Sequence, residues 1–166
     1  RYSAQAQMVE VRKPACAEAA APALQDWGKT QVYGQTLFHT DAFQVIQDLD
    51  GVGEEGISGT HCGVEKAEWD WENWNTDVAA LDGGLQMLLL WAQNQTGGEA
   101  LPMSIGKMLV HAEVPPSGTV RCVAHCRSSG TSRSLADVNF YDESGTRFTE
   151  LKDVELILRP KSGNGL

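Results

Sequence analysis

Asp82 and Gln86 stand one helical turn apart in Leu81-Asp82-Gly83-Gly84-Leu85-Gln86-Met87-Leu88-Leu89-Leu90-Trp91, a run that is otherwise apolar. An acid and an amide at that spacing share one helix face. A carboxylate bordering an apolar stripe costs free energy unless it is paired or used. Two adjacent glycines cost a helix about 1 kcal/mol each relative to alanine. Both choices make sense if a ligand approaches the helix closely and meets an acid there. Asp82 would then give up a proton, and Gln86 would orient it, or the reacting hydroxyl, by a hydrogen bond. The structural reading is a first-turn aspartate favoured by the helix dipole, with glycines that only aid packing.

The helix that carries the pair is expected from Asp77 to Asn94, with Thr76 or Asn75 as its N-cap and Thr96-Gly97-Gly98 at its end. Val78, Leu81, Leu85, Leu88, Leu89 and Ala92 recur at helical spacing and form its apolar stripe. Ahead of it, Leu37–Leu49 reads as a turn leading into a strand, Gly51-Val52-Gly53 as a turn, and Gly56–Val64 as a second extended segment. After it come four strands, Met103–Val114, Thr119–Ser128, Ser134–Asp142 and Arg147–Arg159. They are separated by Pro115-Pro116-Ser117-Gly118, Ser129-Gly130-Thr131 and Glu143-Ser144-Gly145, all turn chemistry. Two strands, one long helix and four strands joined by short turns describe an α+β domain. Its antiparallel sheet buries one face against a single helix long enough to cross it, which is a hot-dog fold. Residues 1–31, rich in Ala, Pro and Gln, read as a linker with at most one short helix; 32–162 is the domain and 163–166 a tail.

Trp69, Trp71 and Trp74 fall within six residues just before the helix. They either line a ligand mouth or staple the helix in place, and stapling is the favoured reading.

A chain of 166 residues is one domain with room for a real core. Its net charge of −9 leaves no basic stripe to neutralise phosphates, which argues against nucleic acid as a partner. The acid is concentrated: residues 1–100 carry 5 basic and 15 acidic groups, whereas residues 101–166 carry 8 and 7. The C-terminal part can therefore still meet an acidic partner. No stretch approaches the ~18 apolar residues of a membrane span. The start of the chain lacks the apolar core of a secretory signal. Its first residue is Arg1, so a cut from something longer is expected. In Thr119–Cys126, strand alternation puts Val120, Cys122, Ala124 and Cys126 on one face and His125 on the other. The two cysteines then read as small buried hydrophobes. With no CxxC and no HxxxH, no metal site is expected. Reduced thiols, Cys16 and Cys62 included, fit a cytoplasmic protein.

Four signatures in order give the chain a family resemblance. They are Leu37-Phe38-His39-Thr40-Asp41-Ala42-Phe43-Gln44, Asp82-Gly83-Gly84-Leu85-Gln86, Ala100-Leu101-Pro102-Met103-Ser104-Ile105 and Asp153-Val154-Glu155-Leu156-Ile157-Leu158-Arg159-Pro160. The first resembles the LFHGPxFQ or YGPxFQ opening strand and the second the DxxxQ/H helix motif of polyketide-synthase-type dehydratases. The third and fourth resemble the segment after that helix and the closing strand. The match is to the C-terminal hot-dog half, in the flavour of iterative polyunsaturated-fatty-acid and enediyne synthases, and covers about three quarters of the chain.

That resemblance implies a double hot dog that removes water from β-hydroxyacyl groups on an acyl carrier protein. A histidine in the N-terminal hot dog, within HxxxGxxxxP, takes the α-proton, and the aspartate of DxxxQ protonates the leaving hydroxyl. Carried over, Asp82 is the acid and Gln86 its orienting partner. Gly83 and Gly84 would let the phosphopantetheine arm or a neighbouring helix come close, and Phe43 and Trp74 would contact substrate. No cofactor is implied beyond the carrier protein's phosphopantetheine. Thr40-Asp41 replaces the family's Gly-Pro and changes a turn near the tunnel. HxxxGxxxxP is absent, and His39, His61, His111 and His125 are expected to be structural or exposed. The base would therefore come from an upstream hot-dog half, and the isolated half is expected to be inactive alone and to form a homodimer that mimics the double hot dog. The alternatives are a non-catalytic structural or docking module of a megasynthase, or a hot-dog thioesterase that uses the helix carboxylate to activate water.

Overall fold

The structure is a computed structural model, and it describes residues 3–7, 22–28, 31–34, 36–70, 72, 74–112, 118–128 and 132–159. The expected 163–166 tail, the turns at 115–117 and 129–131, Trp71 and Cys16 lie outside these residues.

Six antiparallel strands form one sheet: β1 (Ile46–Gly53), β2 (Gly56–Cys62), β3 (Glu99–Val110), β4 (Thr119–Ser128), β5 (Arg133–Tyr141) and β6 (Arg147–Arg159). Their spatial order is β1-β2-β4-β5-β6-β3. The single helix α1 (Val78–Thr96) packs across this sheet, touching all six strands. This is the α+β hot-dog arrangement, with β1 and β3 at the sheet margins.

The alternation of β4 puts Val120, Cys122, Ala124 and Cys126 into the core under the helix, together with Ala136, Val138 and Phe140 of β5. In β6 the alternation is reset by a bulge. Asp153 takes a left-handed φ of 51°, and the pairing slips between Ala136 and Val138. Leu151 and Val154 therefore both reach the core despite their odd spacing. The Asp153 N–H donates to Asp137 Oδ1 at 2.9 Å and so keeps a partner at the bulge.

Three expectations are corrected. The helix N-cap is Asp77, whose carboxylate accepts from the Ala80 N–H at 2.8 Å and from the Val64 N–H at 2.9 Å. Thr76 instead bonds the Thr149 hydroxyl on β6 at 3.0 Å. The two oxygens of the carboxylate accept from both backbone donors, with the added strength of an ionised acceptor, and tie the helix start to the loop after β2. Gly51-Val52-Gly53 belongs to β1, and the turn is Glu54-Glu55. The reason is pairing with β2, Gly51 to Ser58, Val52 to Ile57 and Gly53 to Gly56, and on the other side the segment around Gln25 joins Val52 through two backbone hydrogen bonds of 2.9 Å. A Cβ at Gly51 or Gly53 would collide with the carbonyls of Gln25 or Ala23. β3, finally, begins at Glu99, four residues earlier than its composition suggests, because Glu99–Leu101 already pair with Arg159–Ile157. Gly97 ends the helix in the left-handed conformation at φ 65°.

The helix is buried through its small residues. Ala79, Ala80, Gly83, Gly84, Met87, Leu88, Leu90, Trp91 and Ala92 are sequestered, whereas Leu81, Leu85 and Leu89 of the expected stripe are only half-buried. His61 fills the space under Gly83, and Phe140 with Val138 fills the space under Gly84. The close approach that these glycines permit is that of helix to sheet.

Candidate functional site

Asp82 and Gln86 are in direct contact. The Gln86 Nε2 donates to Asp82 Oδ2 at 2.6 Å and to the Phe43 carbonyl at 2.9 Å, while its Oε1 accepts from the Tyr33 hydroxyl at 2.9 Å. The Tyr33 oxygen in turn accepts the Ile46 N–H at 2.8 Å. Gln86 is 1% exposed and Asp82 is half-buried.

The direction of this chain is dictated at both ends by backbone. A peptide N–H can only donate, so the Tyr33 oxygen accepts from Ile46 and keeps its own proton for Gln86 Oε1. A carbonyl can only accept, so Phe43 requires the NH₂ end of Gln86. The amide orientation follows, and with it a donor aimed at Asp82. Among the described residues, Asp82 Oδ1 has no hydrogen-bond partner. One carboxylate oxygen is thus fixed and the other left available on a half-open helix face.

The elements that place these groups are short and local. A parallel bridge between Tyr33 and Leu37, around Gly34 at φ 92°, brings the phenol toward the helix. The 3₁₀ turn η1 (Asp41–Phe43) presents the Phe43 carbonyl. Burial pushes the Tyr33 hydroxyl up to about 12, with Cys62 and Asp82 adding to the rise and the hydrogen bond from Ile46 opposing it. Tyr33 therefore stays a proton donor at any ordinary pH.

The remaining expected site residues are placed differently. Phe43 joins the site through its carbonyl, while the residue is 54% exposed and its ring meets Trp69 edge-on at 5.3 Å. Trp69 donates to the Ala42 carbonyl at 3.2 Å and packs beside Val45, Val64 and Ala79, which is a stapling role. Trp74 is half-exposed on the loop before the helix. Gly83 and Gly84 face the sheet, as described above. Tyr33 was not among the expected site residues, since no periodicity connects position 33 to position 86.

None of the described histidines hydrogen-bonds Asp82 or Gln86. His61 is fully buried with Nε2 2.8 Å from Met87 Sδ, and burial pushes its pKa down to about 3. His111 pairs with Glu150 at 3.0 Å, and His39 stacks on Phe38. His125 points away from the core on β4. Burial raises the thiol pKa values of Cys62, Cys122 and Cys126. Among the described residues, no group of three or more His, Cys, Asp or Glu side chains could hold a metal ion, and no helix is long and apolar enough to cross a membrane.

A six-stranded antiparallel sheet packed on one helix defines a hot-dog domain. Residues 4–161 match the model of the polyketide synthase dehydratase N-terminal domain family, and the chain belongs to that family. No curated protein matches the chain in sequence. Among solved structures, it resembles the bifunctional dehydratase-cyclase domain of ambruticin biosynthesis, at TM-score 0.63 and 16% identity over 86% of this chain and 50% of that one. It also resembles the dehydratase domain of RzxB from Pseudomonas fluorescens, at TM-score 0.58 and 12% identity over 71% of this chain and 42% of that one. The S. sahachiroi protein AziG is similar at TM-score 0.54 and 14% identity, over 69% of this chain and 91% of that one. At these identities the likeness establishes the fold. The chain spans about half the length of the dehydratase structures.

Proposed function

We propose that this chain is the acid-bearing half of a double hot dog that dehydrates β-hydroxyacyl thioesters carried on an acyl carrier protein. The observation that carries this reading is the directed chain Ile46–Tyr33–Gln86–Asp82, which holds a carboxyl group at a half-open face of an apolar helix. Expelling hydroxide from a β-carbon requires a proton donor. A base on a second hot dog takes the α-proton, the C–O bond breaks, and Asp82 delivers its proton to the departing oxygen. Enoyl thioester and water result, and the Asp82 carboxylate is then reprotonated. Gln86 donates to Asp82 throughout and holds it in place as its charge changes.

The C-terminal half rather than the N-terminal one is favoured by DxxxQ together with the absence of HxxxGxxxxP. The polyunsaturated-fatty-acid or enediyne flavour rests on the four sequence signatures. The partners of this reading are an acyl carrier protein and an upstream hot dog, or a second copy in its place, and no cofactor beyond phosphopantetheine is needed. A cytoplasmic location fits a carrier-protein substrate and reduced thiols.

The test is incubation of the purified chain, alone and with an upstream hot-dog half, with a β-hydroxyacyl-pantetheine thioester, followed by mass spectrometry. Loss of water that disappears in Asp82→Asn supports the proposal. Free acid in place of enoyl thioester would indicate a thioesterase, and no product in the complemented mixture a structural module.

A further inference from the structure

The chain ahead of the site meets β1 at both of its ends. Gln25 and Val52 exchange two backbone hydrogen bonds of 2.9 Å in an antiparallel bridge. Further on, the Tyr33 oxygen accepts the Ile46 N–H at 2.8 Å, at the opposite end of the same strand. From Val52 back to Ile46 the strand spans about 20 Å, and from Gln25 to Tyr33 the chain reaches at most about 28 Å. The two contacts are therefore joined with little slack. The margin of β1 is shaped for a backbone at the first of them. A Cβ on Gly51 would collide with the Gln25 carbonyl and one on Gly53 with the Ala23 carbonyl, and the nearest atoms around the latter all belong to Ala23 and Leu24. Pro22 and Trp27 are buried, and Trp27 belongs to the core cluster against which Val32 and Tyr33 pack. Gly28 then turns left-handed at φ 64°, its N–H donating to Asp26 Oδ1 at 3.2 Å.

We propose that residues 22–27 are a strap that positions the acid: seated on the β1 margin, the strap holds Tyr33 against Ile46 and, through Tyr33, holds Gln86 and the Asp82 carboxyl. The inference rests on the dehydratase reading for what Asp82 does, and on the contacts just given for how it is held. On its downstream side Tyr33 is tied by the bridge to Leu37, where the Gly34 N–H donates to the Leu37 carbonyl at 2.9 Å. A loop held at one point can swing about it, and a second point along the same line stops the swing. The strap supplies that second point. It does so without carrying β1 itself, because the Gly53 carbonyl accepts from Trp91 Nε1 at 3.0 Å and from Gln95 Nε2 at 3.1 Å, both on α1. Gly53→Ala therefore displaces the strap while β1 keeps its ties to β2 and to the helix. Gln25→Pro does the same from the other side, by removing the N–H that Val52 accepts.

The experiment is amide hydrogen exchange by NMR on the whole chain, in wild type and in these two variants, neither of which alters Tyr33, Gln86 or Asp82. The Val52 N–H reports the strap, the Ile46 N–H reports Tyr33, and the Gln86 side-chain amide reports the far end of the relay. Both variants are expected to speed exchange about tenfold at Val52 and at Ile46 alike, and to speed it at the Gln86 amide. Val138, in the middle of the sheet, is expected to keep its wild-type rate. In the complemented dehydratase assay kcat should fall severalfold with KM unchanged, since the strap touches no substrate. Faster exchange at Val52 with Ile46 unchanged overturns the proposal, because strap and phenol are then independent. Equal acceleration at Val138 overturns it too, as does wild-type exchange at Val52 in both variants. Coupled exchange with wild-type kcat would show that the carboxyl is held without the strap, and is likewise fatal. If exchange is coupled through to the Gln86 amide while even the complemented wild-type chain releases no water, the strap's role stands and the dehydratase reading falls.

Discussion

The Tyr33 hydroxyl donates to Gln86 Oε1 at 2.9 Å across 53 residues of sequence, and this contact decides which end of the amide faces Asp82. The same phenol oxygen accepts the Ile46 N–H, and the Phe43 carbonyl holds the NH₂ end of the amide.

Tyr33→Phe removes a donor to Gln86 and leaves the Ile46 N–H without its partner. Loss of one buried hydrogen bond with an orphaned group costs about 1–3 kcal/mol. The urea midpoint is expected to fall by the corresponding amount with the slope unchanged. In a complemented dehydratase assay, turnover should drop further than stability alone explains, because the carbonyl end of Gln86 then loses the donor that seats it and the amide holds Asp82 less firmly. Turnover equal to wild type at temperatures where the variant is folded would show that the Tyr33 contact does not help Gln86 hold Asp82.

His61 makes acid stability a direct readout of helix-to-sheet packing. Above pH 6.5 its imidazole is neutral in both the folded and the unfolded chain, and its contribution is constant. Between 6.5 and about 3 the unfolded chain binds a proton that the buried ring does not. Stability is therefore lost as pH falls through that window, by about 2 kcal/mol from pH 6.5 to 5. Asp77 acts in the opposite sense, since burial raises its carboxyl and acid favours its folded form. The measurement is the difference in unfolding free energy between wild type and His61→Leu at several pH values. That difference is expected to shift in favour of the variant as pH falls from 6.5 and to be flat above it.

Gly83→Ala tests the same contact from the helix side. A Cβ there would stand 2.6 Å from His61 Nδ1 and 2.8 Å from its Cγ, and the ring is enclosed. The helix gains about 1 kcal/mol from alanine, but forced overpacking costs about 1–3 kcal/mol. A net destabilisation is expected. Combined with His61→Ala, the same substitution is expected to become stabilising, so a double-mutant cycle by urea denaturation should show strong coupling. Additive behaviour would mean that the ring yields freely.

The architecture was legible in the sequence because its signals are local. Alternation in Val120–Cys126 and turn residues between the later strands are properties of a few neighbouring positions, and β4 and β6 begin and end where expected. The Asp82–Gln86 spacing was legible for the same reason. The misread features all depend on distant partners. Gly51 and Gly53 are strand residues because they pair with Ser58 and Gly56 of β2, with Ala23 and Gln25 closing against their other side. Leu81, Leu85 and Leu89 read as core by periodicity, yet Gly83 and Gly84 let the sheet approach a different side of the helix. Tyr33 could not be joined to Gln86 from spacing, since a bridge to Leu37 and the turn at Phe43 bring it there.

The two sheet margins are not equivalent, and this gives the prediction about assembly. At β1, the Gln25 segment already occupies both backbone groups of Val52. At β3, no strand pairs beyond it among the described residues. Leu101, Met103 and Ile105 are 62%, 52% and 45% exposed, with Met108 and Val110 close behind. A twelve-residue strand this apolar, carrying only Glu99, Pro102 and Lys107 as obstacles, is an invitation to edge pairing. Light scattering at high concentration is expected to give twice the 18.0 kDa chain mass, and Met103→Lys with Ile105→Lys should return it to the monomer while leaving the helix signal in circular dichroism intact. A monomer at all concentrations, with no capture of an upstream hot-dog half either, would remove β3 as the joining edge and with it the route by which a base reaches Asp82.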